Sequence, residues 1–288
     1  MPTHSKIGVV TYVHGWYRHY IPLFVRAWQL AYPEYEILIF CDEILQPVAG
    51  ATLIPFPSRH ASEKPYYMRW LIPPEYLSHL DRAFICDVDL IPLREEPTLA
   101  AVRDEFMTAS GFPFANWLRP TEPGYPDRVT GWHWIDIKPY YARVQPITEQ
   151  ILRDYTFNIA NPPSYSYPNS FGELQWGQEA LLFRILHEAF GLSDQHRAKS
   201  KWQFANHHGL HLGPLRGGMP RDTIAQRLGP NACFWKQAHA GVRQVMQDAE
   251  FRMCCSHIME PRVCHVVKNL YSLFPEHAPP VLTSTSLE

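Results

Sequence analysis

Over its first forty residues the chain alternates element types in a way few folds can accommodate. A β-branched run, Ile7-Gly8-Val9-Val10-Thr11-Tyr12-Val13, gives way to an amphipathic stretch from about Tyr20 to Ala31, then to Glu36-Ile37-Leu38-Ile39-Phe40-Cys41. Helical periodicity between two apolar runs of strand length predicts strand, helix, strand. The second run is nearly all apolar until it stops at Asp42-Glu43, as expected of a parallel strand covered on both faces. Two such strands joined by a helix form a βαβ unit, and the chain is thereby committed to an α/β layer architecture.

The same alternation continues. Thr52-Leu53-Ile54 adds a short strand, and a helical stretch from about Lys64 to Ile72 ends at Pro73-Pro74, because a prolyl ring cannot continue the hydrogen-bond ladder. Arg82-Ala83-Phe84-Ile85-Cys86 is the next strand. The first hundred residues thus predict a nucleotide-binding half with its ligand at the C-terminal ends of the strands. Between about Gly111 and Thr130 the pattern fails, and Trp117, Pro120, Pro123-Gly124 and Pro126 mark a long loop. Order returns with Gly131-Trp132-His133-Trp134-Ile135-Asp136-Ile137, after which Pro139 opens a helix striped by Tyr140, Val144, Ile147 and Ile151. A second loop, Asn161 to Pro168, leads to the most periodic helix, from about Gln175 to Phe190, which Gly191 stops. Loops of this length in a compact domain are candidate lids or binding loops. A strand from about Trp202 to Ala205 and a helix from about Val242 to Cys254 follow, and the rest is weakly patterned. No internal repeat is present.

With 288 residues, 46% of them hydrophobic, the chain can bury one large core or two modest lobes. A net charge of −2 offers no field to gather nucleic-acid phosphates. No apolar stretch near Met1 has the length of a leader or membrane span, so a cytoplasmic protein is expected, with peripheral membrane contact left open. The six cysteines form no C-x-x-C pair, and Cys254, Cys255, Cys264 and His265 lack the usual zinc spacing, so reduced core thiols are expected. Leu287-Glu288 reads as an appended tail outside the fold.

The sharpest chemical signal is Phe84-Ile85-Cys86-Asp87-Val88-Asp89-Leu90, a buried strand ending in two carboxylates one residue apart. In extended backbone, residues i and i+2 project to one side, so both acids can face one point in the crevice beyond the sheet. Alone they repel. A divalent cation between them removes the repulsion and leaves positions for two phosphate oxygens. The competing reading is a solvated turn. A second signal is Asn206-His207-His208-Gly209-Leu210-His211-Leu212-Gly213-Pro214-Leu215-Arg216, where three imidazoles among glycines suit a ligand loop.

These features resemble glycosyltransferases of the GT-A fold, especially the retaining group that includes glycogenin and bacterial lipopolysaccharide galactosyltransferases. The resemblance rests on the strand and Asp87-Val88-Asp89, on the upstream Lys64-Pro65-Tyr66-Tyr67-Met68-Arg69-Trp70-Leu71-Ile72-Pro73, and on His211-Leu212-Gly213-Pro214-Leu215-Arg216; it covers about residues 7 to 216 in order of elements. It implies a single α/β domain over residues 1–286, a GT-A-like α/β/α sandwich with a mostly parallel central sheet. A nucleotide-sugar half would occupy about residues 1–110 and an acceptor half the remainder. By the same resemblance Asp87 touches ribose and metal, Asp89 is a main metal ligand, and His211 is a third, with His207 and His208 as competing choices. Arg216 stands where the group usually has Lys and would bind the phosphates, as a guanidinium can bidentately. Arg69 would reach the donor sugar or its phosphate; on the residues alone it could equally be a surface cation over Trp70. Thr11 and Tyr12 would line the nucleoside, although a core role for Tyr12 is equally compatible with a buried strand. Gln178 and Glu179 open the periodic helix near the expected anomeric carbon, with Gly177 where the group has Asp. Both could instead be helix-start residues. Asp136 could bind sugar hydroxyls against the neighbouring rings.

The expected activity is metal-dependent transfer of a hexose from a nucleotide diphosphate donor, a UDP-sugar, to a saccharide or other hydroxyl acceptor, with Mn²⁺ or Mg²⁺ and retention of configuration. One imidazole beside two carboxylates favours manganese. Three alternatives stand beside it. One is an inverting enzyme with Glu179 as base, and another is a nucleotide-sugar-binding protein of this fold without turnover. The last is a nucleotidyltransferase or phosphohydrolase with paired aspartates, disfavoured by the late position of the pair and by Ile91 where threonine would follow.

Overall fold

The computed structural model describes residues 5–56, 65–118, 127–153, 166–168, 174–176, 178–193, 209–217, 232–274 and 277. The expected βαβ unit is present as β1 (Ile7–Val13), α1 (Ile21–Ala31) and β2 (Glu36–Cys41), with a 3-10 helix over Gly15–Tyr20 between β1 and α1. Pro22 lies in the first turn of α1, where its missing N–H has no intrahelical partner to lose. With β3 (Thr52–Pro55), β4 (Arg82–Ile85), β6 (Phe114–Ala115) and β7 (His133–Asp136), they build a six-stranded sheet in the order β3-β2-β1-β4-β7-β6. β1 is parallel to β2 and β4, β2 is parallel to β3, and only β7 runs against its neighbours.

Alternation along the strands sends side chains into two cores. Val9, Val13, Phe84 and Trp134 face α1 and α2 (Leu99–Ser110), where Phe24, Trp28, Val102 and Phe106 cover them. Val10, Tyr12, Ile85 and Ile135 face the other layer, covered by Tyr140 and Val144 of α3 (Ile137–Arg153) and by Leu181, Leu182, Ile185 and Leu186 of α4 (Gln178–Phe190). Helices on both faces of a mostly parallel sheet make the expected α/β/α sandwich. No helix among the described residues is long and apolar enough to cross a membrane.

Several elements differ from expectation. α2 is a full helix in a stretch that shows no clear apolar stripe; its ends are set by Thr98, whose hydroxyl accepts from the Ala101 N–H at 3.3 Å, and by Gly111 at φ 74°. The segment 65–70 is a 3-10 rather than an α-helix. α4 begins only at Gln178, because Leu174–Trp176 is a strand (β9) paired antiparallel with β8 (Ser166–Pro168). The expected helix about residues 242–254 is two helices, α5 (Ala232–Gln247) and α6 (Ala249–Ser256), and the weakly patterned tail contains α7 (Pro261–Leu273). The expected strand about Trp202–Ala205 lies outside the described residues.

Asp248 divides α5 from α6. Its carboxylate caps α6 by accepting from the Phe251 N–H at 2.8 Å and receives Arg26 of α1 at 2.8 and 2.6 Å. The Arg26 hydrogen bond leads the causes that hold the Asp248 carboxyl below the usual range. Asp248→Ala is expected to cost about 1–2 kcal/mol through the lost cap and ion pair. A depressed carboxyl contributes above the unfolded value of about 3.9 and loses its contribution as pH falls through the folded value. The difference in Tm between wild type and variant should therefore be full at pH 7 and shrink in strong acid toward what the cap alone contributes; a gap independent of pH would refute the ion-pair component.

Candidate active site

β4 delivers Asp87 and Asp89 to the C-terminal edge of the sheet, beside the end of β1. The backbone does not stay extended beyond Cys86: Val88 and Asp89 form a turn into β5 (Leu90–Pro92). The two carboxylates consequently leave toward different partners, unlike the two acids of an extended strand. Asp87 Oδ1 accepts from Arg69 Nη1 at 2.5 Å. Asp89, only 2% exposed, receives His211 Nε2 at 3.2 Å on one oxygen and Arg216 Nη2 on the other.

Strand pairing brings His211 there. β10 (Gly209–His211) runs antiparallel to β5 with Leu210 opposite Ile91 and His211 opposite Leu90, and the Leu212 N–H donates to the Asp89 carbonyl at 2.8 Å. Two glycines permit this. A Cβ on Gly209 would sit 2.6 Å from Leu90 Cδ1, and one on Gly213 would sit 2.8 Å from the His211 ring. Arg216 reaches Asp89 from the 3-10 helix Gly213–Gly217, which Asn269 of α7 ties down through the Leu215 carbonyl at 2.6 Å. Burial opposes ionisation of Asp89, but His211 and Arg216 outweigh it and hold the carboxyl well below the usual range. For His211, only partly buried, desolvation would lower the pKa, yet Asp89 raises it to about 8.

Arg69 is 3% exposed, stacked 4.3 Å above the Trp70 ring, so it is a buried cation and not a surface one. Its Nε and Nη2 have no hydrogen-bond partner among the described residues. Gly131 lies against it: a Cβ there would meet Arg69 Nη2 and Asp87 Oδ2 at 2.9 Å and Glu179 Oε1 at 3.7 Å. Glu179, at the start of α4, thus shares the Asp87–Arg69 end of the site. Gln178 precedes it with a buried Oε1 that also lacks a partner among the described residues. Gly177, His207 and His208 lie outside the described residues.

Near the end of β1, Thr11 is buried on the α1 face of the sheet, and its hydroxyl has no partner among the described residues. Tyr12 is buried on the other face and its hydroxyl donates to the Phe56 carbonyl at 3.2 Å. The rings beside the acids come instead from the following 3-10 helix, which the sequence reading passed over. Trp16 and Tyr17 stack at 4.2 Å, and the Arg216 guanidinium lies 5.5 Å and 4.9 Å from their centroids. Their position just past the first strand's C-terminal end was the available signal. Asp136 sits at the opposite edge of the sheet, paired with Arg82 at 3.1 Å, because β7 is antiparallel to β4; it does not meet the site.

Among the described residues no three His, Cys, Asp or Glu side chains are grouped to hold a metal ion. Asp89 Oδ1 and His211 Nε2 do stand 3.2 Å apart. Two donors on one cation at bonds of about 2.1 Å and a right angle lie about 3 Å apart, so this pair fits while Asp87 is engaged by Arg69.

No protein-family model and no curated protein matches the chain. Solved structures do. The apo-form glycosyltransferase GlyE of Streptococcus pneumoniae TIGR4 is similar at 16% identity and a TM-score of 0.42, covering 67% of this chain and 46% of that one. A second GlyE structure matches at 15% identity and a TM-score of 0.42, with 68% and 47% covered. The galactosyltransferase LgtC, solved in complex with donor and acceptor sugar analogs, matches at 12% identity and a TM-score of 0.34, with 67% and 99% covered. The match thus spans about half the length of the GlyE chains.

Proposed function

We propose that this chain is a glycosyltransferase that binds a UDP-hexose through a divalent cation and passes the hexose to a hydroxyl acceptor. The observation carrying this reading is the buried Asp89, which gathers an imidazole and a guanidinium from a segment more than a hundred residues away at the C-terminal edge of the sheet. Asp87 with Arg69 stands beside it. Such a cluster offers alternating charge to an anionic diphosphate, and the buried donors Arg69 Nε and Nη2 and Arg216 Nε, without a partner among the described residues, are groups a ligand oxygen would satisfy.

Asp89 and His211 would hold the cation, Mn²⁺ or Mg²⁺, and Asp87 would join them on release from Arg69. When bound, such an ion supplies charge stabilisation to a departing diphosphate. Arg216, freed from Asp89, would take a phosphate oxygen where negative charge grows as the glycosidic bond loosens. Arg69 would orient the donor sugar or its phosphate. Trp16 and Tyr17 offer stacked rings for the nucleoside, with the Thr11 hydroxyl on the same strand end. Gln178 would place its amide oxygen beside the electron-poor anomeric carbon, in line with retention. The position of Glu179 Oε1 near Asp87 and Arg69 favours a second reading, inversion, in which Glu179 accepts the acceptor's hydroxyl proton.

Thermal-shift titration with UDP-glucose and UDP-galactose, with and without Mn²⁺, tests the proposal. A metal-held donor should stabilise only when both are present, by about 2.7 kcal/mol at a hundredfold excess over Kd. No joint stabilisation and no UDP release from any nucleotide sugar would overturn it. Joint stabilisation without UDP release would mark a binding protein. The anomer seen by NMR in the first product decides between Gln178 and Glu179.

A further inference from the structure

One buried amide holds the segment that touches both ends of the site. We infer that Asn116 is a positioning residue: it clamps residues 130 to 133, and through them sets Asp87, Arg69 and His211. This inference rests on the proposed active site. Asn116 Oδ1 accepts from the Trp117 N–H at 2.6 Å, the Thr130 N–H at 3.0 Å and the Thr130 hydroxyl at 2.7 Å. Its Nδ2 donates to the Thr130 carbonyl and to His133 Nδ1, both at 3.1 Å. Asn116, Thr130 and His133 are all buried. Burial, with Arg103 and Arg69 nearby, pushes the His133 pKa down to about 3, so the ring stays neutral; because Asn116 Oδ1 faces three donors, its Nδ2 faces His133 Nδ1, which accepts.

Between the two clamped residues lie the contacts that matter. Gly131 leaves no room for a Cβ against Arg69 Nη2 and Asp87 Oδ2, and Trp132 meets the His211 ring edge-on at 6.5 Å. A loose segment would let Arg69 and Asp87 drift on one side and His211 on the other. Neither Asn116 nor Thr130 is placed against donor or cation, so their effect runs through the geometry of others. Displacing reacting groups by about 1 Å can cost about a hundredfold in rate.

The test compares Asn116→Leu, the milder Thr130→Val, and Thr148→Val as a control that removes an equally buried hydroxyl from α3, bonded to the Gln145 carbonyl at 3.0 Å. For UDP release from a donor, kcat is expected to fall at least about tenfold in Asn116→Leu and by less in Thr130→Val, with KM changed less than about threefold. Thr148→Val should lower Tm with kcat unchanged. Should Asn116→Leu fail to fold, Thr130→Val carries the test. A substrate-free arm records the ¹³Cε1 signal of His211, assigned with His211→Gln. The signal should move in both clamp variants and stay in the control. Absence of UDP release from the wild type overturns the proposed function alone, and the His211 signal then decides the clamp. An unmoved His211 signal, or a kcat that follows Tm equally in clamp and control variants, overturns the clamp.

Discussion

Asp89→Asn is expected to abolish joint stabilisation by UDP-hexose and Mn²⁺ and to lower UDP release by about a thousandfold or more. The substitution keeps volume and removes charge. In the wild type one buried carboxylate balances both His211 and Arg216. An amide neither balances them nor serves as an anionic metal ligand. Breaking a buried ion pair by removing one partner costs about 3–5 kcal/mol when both partners are buried. Here the His211 and Arg216 side chains are 41% and 35% exposed, so water takes up part of the orphaned charge and about 1–2 kcal/mol is expected instead. The variant should therefore remain folded, with a Tm lowered by a few degrees. Joint stabilisation persisting in Asp89→Asn would remove Asp89 from the ligand set.

What the sequence disclosed, and what it withheld, follows from the range of the interactions involved. The βαβ start and the buried strand before Asp87 were legible because their signals are local: apolar period, β-branching and proline stops. The different partners of the two carboxylates were not, since a turn at Val88–Asp89 breaks the alternation on which the extended-strand argument depends. His211 could be named by resemblance, but its contact with Asp89, across 122 residues, depends on the register of β10 on β5, which no local period encodes. Asp136 misled for the same reason. Its neighbours Trp132 and His133 point to the site region, yet an antiparallel β7 carries Asp136 away to Arg82. α2 and α7 had caps in Thr98, Gly111 and Pro261, but Arg103 interrupts the apolar face of α2. The cluster at Gly131 was invisible because a glycine announces only that space is short, never what fills it.

That shortage of space makes Gly131→Ala the most economical probe of the site. The backbone at Gly131 lies outside the left-handed region, so an alanine incurs no conformational strain and acts through its methyl group alone. The methyl would sit 2.9 Å from both Arg69 Nη2 and Asp87 Oδ2, closer than packed atoms tolerate. Such atoms at the ends of side chains can usually swing away at little cost. Here they cannot move independently: Arg69 is buried, stacked on Trp70 and bonded to Asp87, while the Asn116 clamp holds the backbone from behind. Overpacking by one methyl costs about 1–3 kcal/mol, and the least costly relief is to part Arg69 from Asp87. UDP release is expected to fall by about a hundredfold while Tm drops only a few degrees. Arg69→Ala in the same background would remove one of the two crowded atoms and release the other, Asp87 Oδ2, to turn away. The double variant should accordingly be no less stable than Arg69→Ala alone, a non-additivity measurable by a double-mutant cycle. Additive stability losses would show that the methyl is not relieved through the Arg69–Asp87 pair, and would remove the steric account of this edge of the site.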